Sequence, residues 1–143
     1  MVLGANAALR LPALAFFYGY VLTLIAAGAL GMLLGRLDLR YLLGLDPAQL
    51  APLTAATTLS QYRFLRAIEL GFGVTAFWFR DAIFRERTWN GLFLAVMAAG
   101  ITGRLLGLAF DGRPSIPMLF FLVFELIGIT LIFTYSRATV RRP

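Results

Sequence analysis

Seven ionisable side chains stand where a hydrophobic chain has least reason to carry charge. Arg63, Arg66 and Glu69 share one apolar stretch, Arg104 lies in a second and Glu125 in a third, with Asp111 and Arg113 in the short connection between the last two. A guanidinium presents a planar fork of donors that matches a carboxylate, a phosphate or a carbonyl, and a carboxylate accepts from such a fork or moves a proton. The chemistry within reach is therefore recognition of an oxygen-bearing ligand, with acid–base work by Glu69 or Glu125 as the alternative. Most other chemistry is excluded, because the 143 residues include no Cys, no His and no Lys. A disulfide framework, a thiolate nucleophile, a Ser-His-Asp triad, a nitrogen-and-sulfur zinc centre and a bis-histidine haem all need residues that are missing. No catalytic residue, metal or cofactor is assigned.

The elements that must position these charges are hydrophobic. Apolar residues make up 60% of the chain and charged ones 14%, against about 25% charged in an ordinary soluble domain. This balance excludes disorder and points to a bilayer, whose core of about 30 Å needs about 20 apolar helical residues to cross. Uncharged or nearly uncharged runs of that size occupy about 11–35, 89–110 and 118–135. The stretch 57–79 is harder, since Arg63, Arg66 and Glu69 each cost about 2.5–3.5 kcal/mol at mid-bilayer while each Leu, Ile, Phe or Val returns only about 0.3–0.6. It inserts only with its charges facing inward and with other helices to receive them. The expected fold is all-α, an integral membrane four-helix bundle forming a single transmembrane domain over 1–143. Ala27-Gly28-Ala29 also fits a signal-peptide cleavage site, but the weak positive charge ahead of it, Arg10 alone, favours a retained span.

Arginine bias gives an orientation. Arg10, Arg80, Arg85, Arg87, Arg137, Arg141 and Arg142 fall on one side of a four-span arrangement, with Arg36, Arg40 and Arg113 on the other, so both termini are expected in the cytoplasm. Tyr18, Tyr20, Trp78, Trp89 and Tyr135 come out at the same cytoplasmic border. Arg141-Arg142 reads as an anchor to anionic lipid. The arginines thus mark membrane borders rather than a stripe on a soluble face, and nucleic acid is not an expected partner. In the first outer connection, Asp46-Pro47-Ala48-Gln49 has the form of a helix start and predicts a short surface helix, with Pro52 as the start of the next long helix. Asp111-Gly112-Arg113-Pro114 predicts a tight turn, and Ser115 a cap on the last helix.

On this topology the seven charges meet in the outer half of the bundle. At about 1.5 Å per residue, Arg104 and Glu125 lie about 9 and 12 Å from the outer ends of their spans. Tyr62, Arg66, Glu69 and Gly73 share one helical face, which puts Arg66 beside Glu69. The economical arrangement sets Glu125 opposite Arg104, with Arg63 and Arg113 nearer the mouth. Four arginines then face Glu69, Asp111 and Glu125, leaving one positive charge to attract a guest. A purely architectural network that fixes helix register is the competing reading. Gly31-xxx-Gly35 and Gly103-xxx-Gly107 carry the close-packing spacing of membrane helices, here assigned to internal packing ahead of homodimerisation. Gly71 and Gly73 either loosen their helix or admit a neighbour.

The segments Arg66-Ala67-Ile68-Glu69-Leu70-Gly71-Phe72-Gly73, Gly103-Arg104 leading into Asp111-Gly112-Arg113-Pro114-Ser115, and Glu125-Leu126 resemble those of a small bacterial membrane family, domain of unknown function 4345. The resemblance covers about 16–135 and implies a four-helix membrane protein with these charges as family features. It implies no activity. The functional expectation is a non-enzymatic protein of the bacterial inner membrane, multi-pass, whose outer-leaflet pocket holds an amphipathic or anionic ligand or a lipid head group. Arginines would grip the head and Phe120, Phe121 and Phe124 cover the tail. It would act alone or as an accessory subunit of a larger membrane complex. The alternatives are an isomerase-like intramembrane enzyme using Glu69 or Glu125, and a proton-coupled transporter, for which Tyr18, Thr23, Thr75 and Thr130 offer little of the required cytoplasmic path.

Overall fold

A computed structural model describes residues 2–140, with side chains from residue 8 onward except that of Ala138. The expected lipid anchor, Arg141-Arg142, lies outside the described residues. Every regular element among the described residues is helical: α1 (Val2–Leu33), α2 (Gly35–Leu43), a 3-10 turn (Pro47–Gln49), α3 (Pro52–Trp78), α4 (Arg80–Arg85), α5 (Arg87–Phe110) and α6 (Ile116–Thr139).

Three helices are long and apolar enough to cross a membrane, over Ala8–Leu33, Arg87–Phe110 and Ile116–Arg137. Their outward faces carry large apolar side chains in numbers that a water-soluble surface does not tolerate, among them Leu22, Leu30, Leu92, Phe120 and Ile127, each more than half exposed. The helix α3 has the length but not the hydropathy, for the reason evident in its sequence: Arg63, Arg66 and Glu69 interrupt it and threonines fill its first turns.

The connection between the first long helix and α3 differs from expectation. At Asp46 the carboxylate does accept from the Ala48 amide at 3.0 Å with Pro47 in the first turn, but the result is a three-residue 3-10 turn. The surface helix instead precedes it, as α2, whose Gly35 and Leu39 turn inward at i, i+4. Gly44, at φ 67°, ends α2 in the left-handed region that a side chain disfavours. The chain also forms α4 between the stretches 57–79 and 89–110, where no helix is predicted. Gly112, at φ 91°, makes the turn after α5. Ser115 stands at the N-cap position of α6, yet its side chain makes no capping bond; Pro117 in the first turn lacks the amide that would need one.

The chain groups into two compact units, one comprising residues up to Tyr20 and from Ala76, the other Val21–Thr75. The first has an aromatic centre: Phe17 packs edge-on against Phe84 and tilted against Phe93, at 5.0 and 5.3 Å between ring centres. Ile132 and Met97 of the same unit are fully or almost fully buried. Asn90 ties α4, α5 and α6 together there, donating to the Ile83 carbonyl at 2.9 Å and accepting from Ser136 at 3.3 Å. Gly128 leaves room for the Phe16 ring, which a Cβ at that position would overlap. The second unit has a small apolar cluster of Leu39, Leu59 and Tyr62 with Leu45 against it.

Candidate functional sites

Within the second unit the site is built by glycines. A Cβ on Gly28 would stand 2.6 Å from the Leu70 amide nitrogen and 2.8 Å from the Arg66 carbonyl, so α1 and α3 cross here backbone to backbone. One turn further on, the missing side chain of Gly31 leaves the space taken by the Arg66 stem. Gly73 does the same for Ile25, whereas Gly71 faces open space. The Gly31-xxx-Gly35 pair is thereby committed to packing inside this unit, with Arg63 and Tyr62 over Gly35.

Arg66 is consequently buried and fully engaged. Its guanidinium donates to Glu69 at 2.6 Å and to the Tyr62 hydroxyl at 2.6 and 3.0 Å, and pairs with Asp38 at 2.8 Å. The Tyr62 hydroxyl in turn donates to Asp38 at 2.6 Å, closing a ring of three side chains, Arg66, Tyr62 and Asp38, to which Glu69 is joined through Arg66. Arg63 stays exposed, with no ion pair among the described residues.

Asp38 is the participant that sequence reasoning missed. It sits three residues into α2, ahead of Asp46, where the sequence reading starts the helix of this connection; the signal available was the helical recurrence of apolar residues at 34, 37, 39 and 42–43 around it. Its presence corrects the charge count. With Asp38 added, two acids, Asp38 and Glu69, stand with Arg63 and Arg66 in the second unit. At Arg66 itself one guanidinium lies between two carboxylates.

Within the first unit, Arg104 of α5 and Glu125 of α6 form a forked pair, Nε to Oε2 at 2.9 Å and a second guanidinium nitrogen to Oε1 at 3.3 Å. The third nitrogen reaches the Met118 sulfur at 3.5 Å, and the guanidinium lies 5.8 Å from the centre of the Phe121 ring. Glu125 is buried; Arg104 is partly open. Its open side faces a cavity of about 280 Å³ at the turn between α5 and α6. Asp111 and Arg113 line the same cavity with no ion pair of their own among the described residues, beside apolar walls from Leu108, Met118 and Leu122. Gly103 meets nothing within 4 Å, so the second close-packing pair is not used inside this unit as the first is in its own.

The forked pair supports a prediction. Arg104→Ala strands a buried carboxylate and is expected to cost about 2–3 kcal/mol, while Glu125→Gln costs less because the amide still accepts. A double-mutant cycle on thermal unfolding in detergent should return a coupling of about 1–3 kcal/mol. Additive losses would mean that the two side chains do not depend on one another.

An all-helical chain with three apolar helices of bilayer length and a buried salt bridge fits a membrane protein. It belongs to the family described as domain of unknown function (DUF4345), whose model matches residues 9–136. No curated protein and no solved structure matches the chain significantly.

Proposed function

We propose that this is a non-enzymatic, multi-pass protein of the bacterial inner membrane that binds an amphipathic ligand or lipid at its outer leaflet, in the cavity at the turn between α5 and α6. On this reading α3 is a fourth span, admitted because Arg66 is neutralised before it meets lipid, and both termini are cytoplasmic by the arginine bias. The observation that carries the reading is the lining of the cavity. Arg104, held from behind by Glu125, stands with Asp111 and Arg113 on one side, and Leu108, Met118 and Leu122 on the other. A head group with both an acceptor and a donor suits Arg113 and Asp111, while an acyl or isoprenoid portion suits the apolar wall. Arg104 then offers its remaining donor capacity from a fixed position. A role as an accessory subunit of a larger complex is compatible with this pocket and adds no residue to it.

The acid–base alternative has less support. Both oxygens of Glu125 accept from Arg104, and Glu69 accepts from Arg66, which occupies the carboxylates that proton transfer would need. Native mass spectrometry of the protein extracted in mild detergent tests the proposal. Wild type is expected to carry a bound amphiphile that Asp111→Asn/Arg113→Gln loses by about tenfold. Identical adduct spectra for the two proteins would overturn it.

A further inference from the structure

A second cavity, of about 490 Å³, opens in the first unit between the amino-terminal half of α1, the short helix α4 and the end of α6. Its chemistry differs from that of the pocket just described. Arg10 of α1 and Arg80 and Arg85 of α4 line it, against a single acid, Asp81, which gives the lining a formal charge of +2 (three positive, one negative). None of the three arginines has a carboxylate within ion-pairing distance among the described residues, not even Asp81. Arg80 makes one weak bond, to the Phe77 carbonyl at 3.3 Å. Tyr135 is buried in the wall, packed 5.7 Å from the Phe84 ring, and its hydroxyl has no hydrogen-bond partner among the described residues.

Unpaired guanidiniums around a common space repel one another, and that repulsion falls when an anion with several acceptor oxygens enters. A carboxylate offers two oxygens to one fork; a phosphate offers enough for three forks and a tyrosine hydroxyl together. We infer that this cavity is a binding site for a phosphate group, gripped by Arg10, Arg80 and Arg85. Leu14 and Phe84 give the same lining an apolar part, as the acyl chains of a phospholipid require. A phosphate carried by an anionic phospholipid and a phosphate free in solution share this chemistry. The site uses none of the residues of the pocket between α5 and α6, so each can fail without the other.

The test uses the full chain in neutral detergent, with phosphatidylglycerol, phosphatidylcholine and inorganic phosphate as separate probes, read by native mass spectrometry and by thermal shift. Wild type is expected to hold phosphatidylglycerol about tenfold better than phosphatidylcholine. Arg80→Gln/Arg85→Gln should lose that preference, while Arg87→Gln/Arg137→Gln, which removes equal charge from exposed arginines outside the cavity, keeps it. Neither arginine of the cavity pair holds the core together, and an unchanged melting point without probe verifies that the variant folds. Stabilisation by millimolar inorganic phosphate through the same two arginines, with no lipid preference, would assign the site to a soluble phosphate. Equal retention of both lipids with no response to phosphate, or equal losses in the cavity pair and its control, overturns the inference.

Discussion

Arg66→Met is expected to be among the most damaging single substitutions in the chain, lowering stability by about 3 kcal/mol or more. Among the described residues the guanidinium is the only cation paired with Asp38 or Glu69, so its removal strands both carboxylates, with Asp38 left on the Tyr62 hydroxyl. Breaking a buried ion pair from one side costs about 3–5 kcal/mol, because the partner keeps its charge and loses its compensation. The lower end applies here, since 34% of the Glu69 side chain and 21% of that of Asp38 remain exposed and retain some solvation. The triple variant Asp38→Asn/Arg66→Met/Glu69→Gln removes the stranded charges and should recover a large part of the loss. Melting in detergent, followed by circular dichroism, gives the comparison. A triple variant no more stable than Arg66→Met would mean that the stranded charges are not the cause.

Gly28→Ala should be nearly as costly, at about 2–3 kcal/mol, although it adds a single methyl group. Glycine in a helix interior is ordinarily worse than alanine by about 1 kcal/mol, so propensity predicts the opposite sign. The contact decides. The new Cβ would meet the Leu70 nitrogen and Arg66 carbonyl at 2.6 and 2.8 Å, and backbone atoms cannot rotate aside. The two helices must separate, and with them the Arg66 stem leaves the space over Gly31. Gly71→Ala on α3, which meets nothing within 4 Å, is the matched comparison and should be neutral or stabilising. Equal melting temperatures for the two alanine variants would remove the close crossing from the explanation.

What could be read in advance follows from periodicity and from the cost of charge in a hydrophobic setting. The stripe through Tyr62, Arg66 and Glu69 needs only local helix geometry, and in the structure Arg66 bonds to both of the others. Arg104 and Glu125 could be matched by depth alone, because neither finds an opposite charge nearby on its own helix. Asp38 could not be found that way. Its importance depends on α2 being a helix, and nine residues with mixed polarity declare themselves less clearly than twenty apolar ones. The same reason hid α4 and the Asn90–Ser136 tie, since a single Asn among apolar neighbours has no sequence signature of its partner.

Composition and spacing by themselves determined that this chain is helical, that three of its helices have bilayer length, and that its interior charges must be paired. Each of these follows from local geometry or from solvation, which act on a segment wherever it sits. Only the tertiary structure decided how the charges balance, because partners such as Asp38 and Arg66 lie 28 residues apart and meet through the glycine crossing of α1 and α3. It likewise decided which arginines remain without a carboxylate, since ion pairing depends on distances between elements that no local pattern encodes.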